Sequence, residues 1–440
     1  MLEWVGWSIL DSGEFSRLQK LEVINCPKLI GDLPKKVPSL VRLEIKECPE
    51  LVALLPRTTS ICELVLDKCQ RIPLEWQGVS SIQTLEISGF ANLKEFASDL
   101  LTLTSMKELK VEKCPGLLSF SEGMKLSQSK DISHCYMSLE RLTLFGCENL
   151  KSLPLCTFPK LQLLDISLCI NFETLLLPTE IELQNMTLLE SLTIQFCNKM
   201  VYFPCEGFPA PKLSYLWIGD CEKVKGLPEQ MHTLLPSLRF LTLCRCPEIE
   251  SFPEGGLPSK LSYLSIWNCK KLVCGQRDWG LQKLSSPTHF TLSGTSEDVV
   301  ELFPEKGLLP STLKYLGIGN LPNLKSMNKS GLQLLGFLEY MEIENCPQLK
   351  SLPEEGLPTS LLGLRIVNCP LLKLHCRGEE GEDWHKISHI SAICIDGEGI
   401  FDQTYLGPVD PSAFSDLSIL QGRKSRVQQQ DILLDRLRVF

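Results

Sequence analysis

The sequence predicts an α/β repeat protein, a solenoid in which short strands form one curved parallel sheet on the concave face. Two observations lead to this prediction. A nine-residue pattern of apolar positions recurs along most of the chain, and the segments between its copies are short and rich in proline and glycine. An array in which each unit contacts only its neighbours also explains how 440 residues can fold without dividing into several compact cores.

The recurring pattern reads LxxLxLxxC, where x is any residue, and Leu238 to Cys246 is one copy of it. Fifteen copies can be aligned, and twelve of them have cysteine at the last position, the cysteine slot. Neighbouring slots lie 21 to 33 residues apart, which is close to the period of leucine-rich repeats. The slot residues are Cys26, Cys48, Cys69, Phe90, Cys114, Cys147, Cys169, Cys197, Cys221, Cys246, Cys269, Thr295, Leu321, Cys346 and Cys369.

The LxL centre of the pattern predicts a strand, because side chains alternate between the two faces of a strand with period two. One such strand cannot bury its apolar face alone, but strands stacked in parallel about 4.8 Å apart form a continuous core. The slot cysteine then packs as a small hydrophobe under the turn that leaves the strand. We expect these cysteines to be free thiols, because packing alone explains them and the N-terminus lacks a secretory signal.

The segments between strands are punctuated by proline. Proline follows six of the slot cysteines directly, and Gly-Leu-Pro turns such as Gly256-Leu257-Pro258 recur later in the repeats. Proline and glycine both disfavour helix interiors. The convex face is therefore predicted to consist mostly of irregular loops and short 3₁₀ turns, with little helix.

The pattern also predicts the domain limits. Residues 1–396 form a leucine-rich-repeat domain of about fifteen repeats, in which the segment 384–396 is a closing strand. Residues 397–440 lose the pattern and are predicted to be a poorly ordered tail. The apolar residues of the closing segment are Trp384, Ile387, Ile390, Ile393 and Ile395.

Composition and motifs argue against several functions. The net charge is −9 with both signs interspersed, unlike the basic surface of a nucleic-acid binder. No apolar run reaches the roughly 18 residues of a membrane helix. The sequence contains no GxxxxGK[ST], GxGxxG or HExxH motif, and the pair His385 and His389 lacks an adjacent acidic residue. We expect no enzymatic activity, no cofactor and no metal.

Candidate binding residues appear in the third position of the pattern, which faces away from the leucines. Six consecutive repeats carry an aromatic ring or an imidazole there, and two tryptophans occupy neighbouring columns of the same face. Tyrosine and tryptophan dominate binding hot spots, but stacked rings can also simply cover a sheet. Both interpretations stay open. This aromatic stripe consists of Tyr215, Trp217, Phe240, Tyr263, Trp267, His289, Tyr315 and Tyr340.

The same column is mostly charged in the first repeats, with Lys20, Arg42, Glu63, Glu108 and Arg141. Exposure of this face to solvent is enough to explain charged side chains at these positions. The alternative is a docking surface for a signalling domain.

The repeats resemble the leucine-rich repeats of plant intracellular nucleotide-binding (NBS-LRR) disease resistance proteins. The likeness rests on the CP and GLP punctuation and on three stretches, residues 14–34, 252–258 and 381–397. It implies a non-catalytic module in plant defence that binds a pathogen effector or a modified host protein, in the cytoplasm or also in the nucleus. It also implies contacts with other receptor domains. The family's nucleotide-binding domain has no counterpart in this sequence, and residues 397–440 do not match.

A second class with cysteine in this slot is the substrate-recognition repeat of F-box ubiquitin ligase adaptors. Those repeats have a regular period near 26 residues and a helix after the slot. The irregular spacing and the prolines of this sequence favour the immune-receptor repeats.

Overall fold

A computed structural model describes residues 15–34, 36–56, 58–74, 76, 79–94, 103–120, 138–177, 188–204, 207–276, 279–295, 300–378 and 381–399. The strands, in chain order, are β1 (Lys20–Ile24), β2 (Arg42–Lys46), β3 (Glu63–Asp67), β4 (Thr84–Ser88), β5 (Glu108–Glu112), β6 (Arg141–Phe145), β7 (Ser152–Pro154), β8 (Leu163–Ser167), β9 (Thr174–Leu176), β10 (Ser191–Gln195), β11 (Tyr215–Gly219), β12 (Phe240–Cys244), β13 (Tyr263–Trp267), β14 (His289–Ser293), β15 (Leu302–Phe303), β16 (Tyr315–Gly319), β17 (Ser326–Met327), β18 (Tyr340–Glu344), β19 (Gly363–Val367), β20 (Ala392–Ile395) and β21 (Glu398–Gly399).

Seventeen of these strands form one sheet, and fifteen of the seventeen are the five-residue strands that the repeats predict. They pair in parallel in the order of the repeats, so that Leu241 lies beside Leu216 and Leu264. The second and fourth residues of each strand face the core, and all but the second residue of β1 are buried. The first, third and fifth residues face the concave side. The predicted solenoid is confirmed.

The slot cysteines line one edge of the core. The Cys221 thiol donates to the carbonyl oxygens of Gly219 at 3.2 Å and of Ile194, one repeat earlier, at 3.9 Å. Other slots repeat this arrangement, as Cys48 does with Lys46 and Val23. The slot therefore selects cysteine both for its size and for a weak donor at the strand end.

The cysteines of the described residues are all free thiols. Burial raises the pKa of Cys69 to about 11 and that of Cys114 to about 12. Because the thiolate is the reactive form, these buried thiols are protonated and inert at neutral pH.

The residue before the slot adopts a left-handed conformation in fourteen of the fifteen repeats. Asparagine tolerates this conformation best among residues with a Cβ, and it occupies the position in five repeats, for example Asn268 and Asn345. In the last repeats these side chains form a ladder, in which the amide of Asn345 donates to Asn320 at 3.0 Å and that of Asn368 donates to Asn345 at 2.7 Å.

The convex side contains little helix, as predicted. Two lateral pairs of short strands lie outside the main sheet, β7 with β9 and β15 with β17. The 3₁₀ helices include Leu155–Thr157 and Leu281–Lys283. The α-helices are α1 (Met231–Leu234), α2 (Lys270–Cys274), α3 (Lys329–Leu332), α4 (Pro370–Cys376) and α5 (Trp384–Ile387).

The closing segment differs from the predicted strand. Trp384–Ile387 forms helix α5, and the chain is a strand only from Ala392 to Ile395, where β20 pairs with β19. A buried ion pair between Asp383 and Lys386, 2.6 Å apart, explains the helix. Asp383 accepts the backbone N–H of Leu352 at 2.7 Å, and Lys386 donates to the Leu352 carbonyl at 3.0 Å. Of the predicted tail, residues 400–440 lie outside the described part of the chain.

Candidate functional site

All eight residues of the aromatic stripe lie on the concave face of the sheet. Six of them are the first residues of six strands, β11 to β14, β16 and β18, while Trp217 is a third residue and Trp267 a fifth. Seven are half-buried, and Trp267 is exposed, with 41% of its surface accessible. Parallel register across six repeats therefore brings together side chains that are far apart in sequence.

Four of the rings form a continuous stack across four strands. The centroids of Phe240 and Tyr263 lie 6.1 Å apart. His289 stacks on Tyr263 at 6.1 Å and on Tyr315 at 5.7 Å, with interplanar angles of 30° and 23°. Tyr215 makes an edge contact with Trp217 at 6.5 Å. Such pairs are worth about 0.5–1.5 kcal/mol each beyond their burial, so the stack also stabilises the sheet.

Burial in the stack changes the acid–base behaviour of its members. It raises the pKa of Tyr263 and lowers the pKa of His289, so the tyrosine is protonated and the imidazole is neutral at pH 7. The Tyr315 hydroxyl donates to the Glu342 carboxylate at 2.6 Å. Burial, followed by this carboxylate, raises the pKa of Tyr315 as well. The stack thus carries no charge of its own at neutral pH.

Glycines beside the stripe let two rings lie flat on the sheet. A Cβ atom on Gly363 would lie 2.7 Å from the Tyr340 ring, and one on Gly317 would lie 3.3 Å from the Tyr315 ring. Glycine inside a strand often marks such a close approach. These two strand glycines were the signal in the sequence that the rings are half-buried rather than fully projecting.

The charged residues of the first repeats pair with one another on the same face. The Glu44 carboxylate binds Lys46 at 2.6 Å and Arg42 at 3.0 Å, and Arg42 also binds Glu63 at 2.7 Å. The hydrogen bond from Lys46, together with Arg42, holds the pKa of Glu44 below its usual value. Glu108 likewise binds two cations, Lys110 at 3.0 Å and Arg141 at 3.1 Å.

The described ranges also bear on metal sites and membrane spans. There, histidine, cysteine, aspartate and glutamate nowhere gather in groups of three that could hold a metal ion. Within the same residues, no helix is long and apolar enough to cross a membrane.

Comparison with known proteins shows which proteins the chain is similar to. Disease resistance protein At3g14460 of Arabidopsis thaliana is 37% identical to the chain over 296 residues, which are 67% of this chain and 20% of that protein. In sequence and fold, the chain resembles the leucine-rich-repeat region of plant disease resistance proteins. Arabidopsis thaliana disease resistance proteins RPS6 and RPP4 also match this leucine-rich-repeat region, with 27% identity over 322 residues and 32% over 176 residues. These alignments cover 58% and 38% of the chain, and the chain spans 28% and 13% of those two proteins.

Solved leucine-rich-repeat structures show a more distant likeness. The leucine-rich repeat domain of the type III effector XopL has a TM-score of 0.38 and 22% identity, with 56% of this chain and 76% of that domain covered. The functional domain of InlJ from Listeria monocytogenes, which includes a cysteine ladder, has a TM-score of 0.38 and 14% identity, with 80% and 74% covered. No family model matches the leucine-rich-repeat region.

Proposed function

We propose that this leucine-rich-repeat region is the non-catalytic recognition module of a plant immune receptor, which binds a pathogen effector or a modified host protein through its concave face. The observation that carries the proposal is the similarity to disease resistance proteins over two thirds of the chain. The proposed location is the cytoplasm, with the nucleus as a second compartment.

The concave face suits protein recognition because it offers a rigid aromatic surface. The four stacked rings of the stripe are held by one another and by the sheet below them, so little side-chain entropy is lost when they contact a partner. Trp267 is the best candidate anchor, since it is the one exposed member of the eight and tryptophan is enriched in hot spots.

The structure also offers little support for an F-box adaptor. That alternative predicts a helix after every slot cysteine. In the described residues an α-helix directly follows the slot in two repeats, at Lys270–Cys274 and Pro370–Cys376.

The test uses the full chain, a panel of purified effector proteins from plant pathogens, and biolayer interferometry. For an effector that binds, Trp267→Ser should weaken the affinity about thirtyfold, which corresponds to the roughly 2 kcal/mol of a hot-spot residue. Lys20→Ser, in the charged repeats, is the matched control and should change the affinity less than twofold. Melting temperatures are measured first, so that binding is compared per folded molecule. Unchanged affinity for Trp267→Ser and Tyr263→Ser would contradict the proposal.

A further inference from the structure

The concave face divides sharply by charge. Each strand has three concave-facing positions, its first, third and fifth residues. In the first seven repeats, which contain β1 to β6 and β8, thirteen of these twenty-one positions are charged. In the next six strands of the sheet, β10 to β14 and β16, none of the concave-facing positions is charged. This neutral tract consists of Ser191, Thr193, Gln195, Tyr215, Trp217, Gly219, Phe240, Thr242, Cys244, Tyr263, Ser265, Trp267, His289, Thr291, Ser293, Tyr315, Gly317 and Gly319.

The tract is neutral chemically as well as by residue type. His289 is its one titratable imidazole, and burial keeps its pKa below the usual value. The charged residues that directly follow β11 and β12, Asp220 and Arg245, form a bidentate pair with each other. At the other ends of the strands, Lys314 and Glu339, whose charges both act on His289, are also paired, 3.0 Å apart. Six strands at about 4.8 Å spacing make the tract about 24 Å long, which is enough for the centre of a protein interface.

Both ends of the neutral tract carry acidic groups. Asp165 lies on β8 at one end, and Glu342 and Glu344 lie on β18 at the other. Glu342 is engaged by Arg365 and by the Tyr315 hydroxyl. A charged group of a partner brought over the middle of the tract would lose its water and find no counter-charge there.

We propose that the partner covers the neutral tract with an uncharged protein face, so that the specificity of this region comes from shape and aromatic contact rather than from charge. This inference rests on the proposed function and adds the chemistry of the partner. The charged strands β1 to β6 and β8 then lie outside the contact. Several of their charges are already engaged with one another, as Glu44 is with Lys46 and Arg42, and Glu108 binds Lys110 and Arg141 in the same way.

Charge insertion tests the proposal. Thr242 and Thr143 are both half-buried third residues of their strands, on β12 in the neutral tract and on β6 in the charged repeats. The full chain and its variants Thr242→Lys, Thr242→Asp, Thr143→Lys and Thr143→Asp are each checked for melting temperature. The probe is a phage-displayed library of random twelve-residue peptides, selected on the unmodified chain. The analysis is restricted to peptides whose affinity falls at least tenfold on Trp267→Ser.

The expected result has three parts. Those peptides are depleted in Asp, Glu, Lys and Arg relative to the library. Both Thr242 variants weaken them at least fivefold, whereas both Thr143 variants change them less than twofold. Their affinity changes less than twofold between 50 and 500 mM NaCl.

Two other outcomes separate the failures. If Thr242→Asp or Thr242→Lys strengthens binding, or if the peptides carry net charge, the partner face is charged and this inference is wrong while the proposed function stands. If selected peptides are insensitive to both Trp267→Ser and Tyr263→Ser, or if none is selected, the concave aromatic site itself is wrong.

Discussion

Among single residues, Tyr263 and Trp267 lie on the same strand but differ in burial, so their replacement should affect folding differently. Tyr263 stacks between Phe240 and His289, whereas Trp267 is exposed. Tyr263→Ser removes two ring pairs and should lower the free energy of unfolding by about 1–3 kcal/mol. Trp267→Ser should cost less than Tyr263→Ser, because Trp267 is the most exposed of the eight stripe residues. Urea unfolding of both variants measures the difference, and equal losses would contradict this prediction.

The buried imidazole of His289 predicts a pH dependence of stability. Burial lowers its pKa in the folded state, opposed by Glu339 and reinforced by Lys314, while the unfolded chain keeps the ordinary pKa of about 6.5. The folded state therefore binds fewer protons. The contribution of the neutral His289 to the free energy of unfolding is fully present above pH 6.5 and decreases as the pH falls below that value.

The matched control for this effect is His289→Phe, which keeps an aromatic ring in the stack. The loss of melting temperature between pH 8 and pH 5.5 should be smaller for His289→Phe than for the unmodified chain. Other groups titrate equally in both proteins, so the comparison isolates His289. An identical loss in the two would show that this imidazole is not responsible.

Among the elements, the closing helix α5 depends on contacts that span the last repeats. Asp383 is buried and Lys386 is mostly buried, and together they bind both backbone groups of Leu352. Asp383→Ala removes the carboxylate from the mostly buried Lys386 ammonium, which keeps the Leu352 carbonyl as an acceptor, and should cost about 3 kcal/mol, the lower end of the range for breaking a buried pair. Lys373→Ala removes the partner of Asp396 in a partly exposed pair and should cost about 1 kcal/mol or less.

Hydrogen exchange provides the local readout for these two variants. The Leu352 amide should exchange much faster in Asp383→Ala than in the unmodified chain, because its acceptor is gone. It should be little changed in Lys373→Ala. Protection of that amide in Asp383→Ala would mean that the contacts with Leu352 are not what secures the last repeats.

The strands could be predicted because their cause is local. The two leucine positions of each LxL segment indicate which residues face the core, and the repetition of the segment determines the register between strands. Helix α5 could not, since its determinant is the contact between Asp383 and a backbone group 31 residues earlier. The left-handed conformation of the residue before the slot could not be predicted either, because residues as different as Glu47, Leu168 and Asn345 occupy that position.

For the candidate site, the sequence likewise predicted the face on which the residues lie but not their burial. Alternation placed the eight stripe residues on one face, but their degree of burial depends on ring-to-ring distances across repeats and on neighbours such as Gly363. Reading one strand at a time cannot supply those distances. This is why the sequence left both stacking and recognition open for Tyr263. The exposure of Trp267 makes it the residue of the stripe that we propose for recognition.

For the whole molecule, the architecture predicts a distinctive circular-dichroism spectrum. The helices α1 to α5 have between four and seven residues each. Proline and glycine in the convex segments explain why they stay short. Helix content should therefore fall well below the roughly one third of an average globular protein. A spectrum at or above that level would contradict the solenoid.

The parallel ladder also determines how the molecule responds to force. Its strands are joined side by side, repeat to repeat, and few contacts bridge more than one turn. Tension applied to the two ends of the solenoid would therefore act on the contact between one repeat and the next, and the repeats would separate one at a time. The solenoid would lengthen turn by turn, like an uncoiling spring, and each released turn of about 25 residues would add about 85 Å of slack chain.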